Sequence, residues 1–258
     1  MAGYSELLDF AKKMAIVSGQ MMLKAKQQGQ LDIQKKQDGS FVTKVDLAID
    51  HYLRREIGKY YPDHNLITEE SGMIKNSDSD YCWVLDPIDG THNYMSGLGM
   101  FAVAIGVMVE NKPVIGVIYD PTADNLYSAV HGGGAWLNDQ VLCCDLTKVN
   151  KQFGMVGFSY KNRFSNAING LTDIDWIPHV RCLGSSAIGC MLVASNILEV
   201  YHDTKNHIWD VVAAYVILTE AGSVVRILPE QMTDKHFLGH FDILCCGSER
   251  TRHLELAV

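Results

Sequence analysis

Acidic residues that follow short apolar runs are the first candidates for chemistry in this 258-residue chain. Glu69 and Glu70 come after residues 64–68, Asp86 and Asp89 after residues 81–85, and Asp210 opens the apolar stretch 209–221. Carboxylates at the carboxyl ends of neighbouring strands converge in space, and convergent negative charges repel unless cations or protons compensate them. Cysteine and histidine spacings suited to a soft metal are missing, so the expected cation is hard and oxygen-loving, Mg²⁺ or Mn²⁺. Within Asp86-Pro87-Ile88-Asp89, the proline fixes φ and stiffens the turn. Both carboxylates can then be aimed into one pocket, with the Ile88 carbonyl freed as a neutral ligand. Gly90-Thr91 adds backbone N–H groups and a hydroxyl, which suit an anion beside the metals. A metal next to a phosphate cradle suggests phosphoryl chemistry. Taken singly, Asp-Pro-x-Asp-Gly is a turn and Glu-Glu a solvated face, so the weight lies on the combination.

The elements that must position these groups can be read from apolar periodicity. Residues 4–28 repeat apolar side chains at helical spacing (Leu7, Leu8, Ala11, Met14, Ala15, Met21, Met22, Ala25), with an end near Gly29. Residues 36–40 are turn chemistry, and a second helix is expected over about 45–60, stopped by Pro62. A short strand at 64–68 leads into Glu69-Glu70-Ser71-Gly72, residues 73–80 read as a polar loop, and residues 81–85 form an apolar strand. Strands at 101–110, 114–119 and 125–130 give a meander, and residues 132–139 add a tight turn and an edge segment. Motif density drops near 145–151, which suggests one domain of two lobes, about 1–145 and 146–258. In the second lobe the expected order is strand 155–159, helix 163–171, strand 178–183, a helix opening at Ser185-Ser186, strand 198–202, helix 209–221, and strands at 224–228 and 243–246. Helices layered on mixed sheets place the chain in the α+β or layered α/β class.

Composition excludes several functions. Lys+Arg 22 against Asp+Glu 30 leaves a net charge of −8, and no basic run, Lys35-Lys36 included, exceeds two residues, so no nucleic-acid partner is expected. The apolar run 101–109 is too short to span a bilayer, and the amino end has no basic region followed by an apolar one, so neither a membrane segment nor a signal peptide is expected. The 7 cysteines include adjacent pairs and no C-x-x-C, which fits reduced thiols in a cytoplasmic protein.

Read together, the motifs resemble those of the inositol monophosphatase family. Residues 83–94, WVLDPIDGTHNY, are similar to that family's first signature, W-x-x-D-P-[IL]-D-G-T-x-N-[FY]. Residues 209–222, WDVVAAYVILTEAG, resemble its second, W-D-x-A-[AG] followed by E-A-G. Glu69-Glu70-Ser71 and Val42-Thr43-Lys44-Val45-Asp46 match two further landmarks in the right order, so the resemblance runs from about Tyr4 to Gly247.

The resemblance implies the layered αβαβα sugar-phosphatase fold and a Mg²⁺-dependent phosphomonoesterase, commonly dimeric and inhibited by lithium. By the same resemblance, Glu69, Asp86 and the Ile88 carbonyl would hold a first Mg²⁺. Asp86, Asp89 and Asp210 would hold a second, and a weaker third would sit beside Glu69. Asp46 and Thr91 would position and activate the attacking water, Gly90 and Thr91 would bind phosphate, and Glu69 would support catalysis as a ligand. Two such ions roughly 3.5–4 Å apart can stabilise both the attacking and the leaving oxygen of an in-line displacement. Thr91 cannot act as a base at neutral pH, so its role needs Asp46 to accept the proton.

Contacts to the alcohol would come from Asp89, from Gly184, Ser185 and Ser186, and from Asp203, seven positions before Asp210. Family members that handle inositol usually carry Glu at the position of Asp203, and alanine is frequent at that of Ser186. The substrate implied is a small polyol or sugar phosphate, inositol-1-phosphate first. Histidinol phosphate, fructose-1,6-bisphosphate and 3′-phosphoadenosine-5′-phosphate are alternatives on the same site. Residues 31–43 resemble the histidinol-phosphatase branch, whereas His92-Asn93-Tyr94 departs from the D-G-T-[KR]-[ED]-F of the adenine-nucleotide branch. A non-catalytic scaffold is the rival of another class, and it normally permits the loss of a ligand.

Overall fold

Two amphipathic helices begin the chain, and each owes its ends to local chemistry. The computed structural model describes residues 2–29, 32–36, 39–145, 147, 155–158, 168–169, 179–229, 239–247, 252 and 254–256. Helix α1 (Ala2–Gln27) buries Leu7, Ala11, Met14, Ala15 and Met22 along one stripe. A small antiparallel hairpin, β1 (Ile33–Lys35) and β2 (Phe41–Thr43), flanks the turn expected at 36–40. Thr43 then caps helix α2 (Lys44–Tyr60) in a reciprocal capping box, its own N–H donating to Asp46 Oδ2 at 2.8 Å.

The central layer is an eight-stranded sheet built from β3 (Asn65–Thr68), β4 (Gly72–Ile74), β5 (Tyr81–Asp89), β6 (Ala102–Val109), β7 (Lys112–Asp120), β8 (Asn125–Val130), β9 (Gly134–Leu137) and β10 (Gln140–Leu142). Its spatial order is β10-β9-β8-β7-β6-β5-β3-β4, parallel at β3/β5 and antiparallel elsewhere. Alternation along β6 supplies both faces. Val103, Ile105 and Val107 join the core shared with α1 and α2, while Ala102, Ala104 and Met108 face the other side.

On that other side lie α4 (Ser186–Ala194) and α5 (Ile208–Ala221), which follow the last strand of the first sheet in sequence, whereas the short α3 (Thr91–Ser96) connects β5 to β6. α5 is apolar around nearly its whole circumference because it is sandwiched between two sheets. The second sheet contains β11 (Met155–Phe158), β13 (His179–Cys182), β14 (Val200–Asn206), β15 (Val224–Leu228) and β16 (Phe241–Cys246) in the order β13-β11-β14-β16-β15. The described residues thus stack as helix, sheet, helix, sheet. An outer helical layer beyond the second sheet would fall outside them.

Four expectations are corrected. Residues 73–80 do not form a loop throughout, because Gly72–Ile74 pairs with β3. β5 does not stop at residue 85. It continues through Pro87 to Asp89, and a register shift between Asp86 and Asp89 absorbs the missing N–H. The strand expected at 198–202 starts at Val200 and extends to Asn206. In the helix expected at 163–171, Ile168–Asn169 is instead a strand, β12, paired with β17 (Glu255–Leu256). The rest of that segment lies outside the described residues.

Candidate active site

The end of β5 delivers Asp86 and Asp89 to one point, and α5 brings Asp210 to meet them. Carboxylate oxygens from these three residues lie within 4.8 Å of one another. Asp86 is 2% exposed and Asp89 7%. Burial pushes Asp86 well above the usual carboxylate range, and Glu69, Asp89 and Asp210 add to the rise. Burial also raises Asp210, with Asp89 contributing next. Three carboxylates that resist ionising together in a dry site form a donor set that a hard divalent cation would satisfy.

Each of the three is held by its own element. Asp89 accepts hydrogen bonds from the Ser185 hydroxyl, from Ser186 N–H at 3.2 Å and from Ala187 N–H at 3.0 Å, all at the amino end of α4. Burial lifts its pKa to about 6 although these bonds pull it down. Ser185 also caps α4, its hydroxyl accepting from Ile188 N–H at 3.1 Å. Asp210 Oδ2 accepts from His207 N–H at 2.6 Å, which fixes it in the first turn of α5. Asp86 Oδ1 accepts from Ile88 N–H at 3.0 Å, holding the bulged turn.

Thr91 and Asp46 stand beside this cluster. The Thr91 hydroxyl donates to the Ile88 carbonyl at 2.9 Å and reaches Asp46 Oδ1 at 3.5 Å. Asp46 Oδ2 is taken by the Thr43 N–H and hydroxyl, so Oδ1 is the oxygen turned to Thr91. Burial raises Asp46 to about 6, against the pull of the Thr43 bonds. Gly90 precedes Thr91 with φ 84°, and a Cβ there would stand 3.0 Å from the Met100 carbonyl oxygen. Only glycine fits both demands.

Glu69 lies just outside the group of three, within hydrogen-bonding reach of Asp86. Lys36 Nζ donates to Glu69 Oε1 at 3.0 Å and to Glu70 Oε1 at 2.6 Å. Burial opposes the Lys36 charge, but the two glutamates outweigh it and move its pKa upward. Glu70 is raised to about 7, by burial and then by Glu69. Lys36 was expected only as part of a turn. Its partners are more than thirty residues away, and nothing in its neighbourhood signals them.

On the remaining side, Ser186 and Asp203 are joined rather than separate. The Ser186 hydroxyl contacts Asp203 Oδ2 and lies 2.9 Å from Asn206 Oδ1. Tyr201 Oη donates to the same Asp203 oxygen at 3.2 Å, and Thr204 N–H donates to Oδ1 at 2.7 Å. Gly184 has φ 72° and sits against Asn93, whose amide donates to the Met100 and Leu183 carbonyls at 2.8 Å each. Asn93 therefore couples α3 to the start of α4. Tyr94 Oη donates to the Met22 carbonyl at 3.0 Å, anchoring α3 on α1. Asn93, Tyr201 and Asn206 were not singled out from the sequence; for Asn93 its place in the first signature was the available signal.

A family model described as "Inositol monophosphatase family" matches residues 4–257. The chain belongs to the inositol monophosphatase family. It is 36% identical over 227 residues to "Nus factor SuhB" of Haemophilus influenzae, covering 85% of this chain and 84% of that protein. It is 32% identical over 238 residues to "Fructose-1,6-bisphosphatase/inositol-1-monophosphatase" of Aquifex aeolicus, covering 89% of each. The solved inositol monophosphatase of Anabaena (Nostoc) superposes with a TM-score of 0.77 at 27% identity, over 97% of this chain and 94% of that one. The layered α+β architecture is thus that of inositol monophosphatases, and the chain is a phosphomonoesterase of this family. No helix among the described residues is long and apolar enough to cross a membrane.

Proposed function

We propose that this inositol monophosphatase family member hydrolyses a small polyol or sugar phosphomonoester in a Mg²⁺-dependent reaction, with inositol-1-phosphate as the substrate best supported. The observation that carries the reading is the convergence of buried Asp86 and Asp89 with half-buried Asp210 beside Thr91 and Asp46. Glu69, Asp86 and the Ile88 carbonyl would hold one ion, and Asp86, Asp89 and Asp210 a second. A weaker third would adjoin Glu69. The bound cations supply charge neutralisation for the phosphoryl group and acidify water.

The chain's own residues orient and deprotonate the nucleophile. Asp46, raised to about 6, is ionised near neutral pH yet basic enough to take a proton through Oδ1. Thr91 would relay by turning its hydroxyl proton from the Ile88 carbonyl to Asp46 Oδ1, passing that proton on as it accepts one from the attacking water. Gly90 and Thr91 would present N–H groups to the phosphate. Gly184, Ser185, Ser186, Asp89 and Asp203 would face the alcohol, where Asp203 and Ser186 act as one hydrogen-bonded unit.

The family membership also supports a homodimer, lithium sensitivity and a cytoplasmic setting. The complete acidic set opposes a purely scaffolding role. The test is phosphate release from a panel of phosphomonoesters with Mg²⁺, ranked by kcat/KM. Inositol-1-phosphate leading the panel supports the reading, and no release from any ester overturns it.

A further inference from the structure

Asp50 is a buried carboxylate that the acidic site does not use. Asp50 is 2% exposed and lies four residues after Asp46 on the buried face of α2. Its Oδ2 accepts from Ser71 Oγ at 2.6 Å and from Arg54 Nε at 2.7 Å, whereas Oδ1 is buried with no hydrogen-bond partner among the described residues. A half-satisfied carboxylate is expensive to bury, and a sequence that needed only a filled core would place an apolar side chain there.

What Asp50 holds is the turn that presents Glu69. That turn starts where Glu69 N–H donates to the Leu85 carbonyl at 3.2 Å, one residue before Asp86. It closes where Ser71 N–H donates to Thr68 Oγ1 at 2.8 Å. The Ser71 hydroxyl then reaches across to Asp50. The result ties the helix that carries Asp46 to the turn that carries Glu69, although these two elements belong to different layers. Arg54, one turn further along α2, balances the Asp50 charge so that it is not simply added to the acidic site.

We propose that Asp50, acting through Ser71, is a positioning residue for cation binding at Glu69. The proposal rests on the reading of Glu69 as a metal ligand. A ligand on a short turn binds well only when its backbone is fixed, and the groups that orient ligands commonly change metal affinity by about 10–100-fold when removed. The charged acceptor makes the Ser71 bond stronger than an amide acceptor would.

The test is calorimetric titration of the metal-free full chain with Mg²⁺, for wild type, Ser71→Ala, Ser71→Thr, Asp50→Asn, Asp50→Ala and the Ser71→Ala/Asp50→Ala double variant. Asp86→Asn serves as the reference, and thermal unfolding reports stability separately. Ser71→Ala and Asp50→Ala should each weaken Mg²⁺ binding about ten-fold, with the double variant no weaker than either. Ser71→Thr and Asp50→Asn, which keep a donor and an acceptor, should recover most of the loss. If Asp50→Ala does not fold, the Ser71→Ala and Ser71→Thr pair decides alone. Wild-type Mg²⁺ affinity in Ser71→Ala, with binding lost in Asp86→Asn, overturns the positioning role while leaving the metal site intact. Undiminished binding in Asp86→Asn removes the metal-site reading itself, and the positioning role falls with it.

Discussion

Gly116 of β7 lies so close beneath α5 that a Cβ placed on it would stand 2.2 Å from the carbonyl oxygen of Ala213. Gly106, its partner across the β6–β7 ladder, would meet Val212 Cγ1 at 2.5 Å. The two glycines form a notch in the central sheet, and α5 rests in it with Asp210 in its first turn. This close approach seats α5, at Ala213 three residues past Asp210, directly on the sheet that carries Asp86 and Asp89.

Gly116→Ala should therefore act at a distance. The added methyl meets backbone, which cannot rotate away, so overpacking should cost about 1–3 kcal/mol in urea unfolding. α5 must also lift, and Mg²⁺-dependent turnover should fall at temperatures where the variant is fully folded. Stability and turnover both equal to wild type would show that α5 is not seated by this contact.

Protons and cations compete for the same carboxylates. Burial raises Asp89 from 3.8 to about 6, and it raises Asp86 and Asp210 as well. A carboxyl with a raised folded pKa binds its proton more tightly in the folded chain. Its contribution to metal-free stability is present below 3.8 and lost as pH rises through about 6. Mg²⁺ must displace those protons, so the rise in Tm on adding Mg²⁺ should be near zero at about pH 4 and grow as pH rises through about 6. Scanning calorimetry with and without Mg²⁺ measures the difference, and a rise independent of pH would contradict the competition.

Much of this site was legible because its signals are local. Asp86-Pro87-Ile88-Asp89-Gly90-Thr91 is one continuous segment, and the apolar spacing over residues 45–60 marks the helix that carries Asp46 on its own. The continuous apolar run 101–109 likewise marks a buried strand, and the largely apolar residues 209–221 mark a helix. What escaped reading depends on partners remote in sequence. Lys36 finds Glu69 and Glu70 only after the hairpin folds over the site, and Ile168–Asn169 becomes a strand only because Glu255–Leu256 pairs with it. α3, from Thr91 to Ser96, is too short to show a helical period. Pro87 suggested the end of a strand, and the bulge that lets β5 continue past it cannot be seen without β6 alongside.

Ser186 and Asp203 together should set preference for the alcohol. The Ser186 hydroxyl occupies Asp203 Oδ2, so Ser186→Ala returns acceptor capacity to that carboxylate. The KM for inositol-1-phosphate should fall on the order of five-fold, equivalent to about 1 kcal/mol, as a ring hydroxyl takes the vacated place. The KM for p-nitrophenyl phosphate, which has no alcohol hydroxyls, should change much less. Equal changes for both esters would show that the pair does not read the alcohol.

The claim that Asp86, Asp89 and Asp210 together gather Mg²⁺ for phosphomonoester hydrolysis is tested most directly by Asp86→Asn. This change removes one charge while keeping the side chain's shape. The measurement is phosphate release at saturating Mg²⁺ from the best ester of the panel, compared with wild type after both are shown to be folded. The account predicts a loss of turnover of at least about 100-fold. Wild-type turnover in folded Asp86→Asn would contradict it.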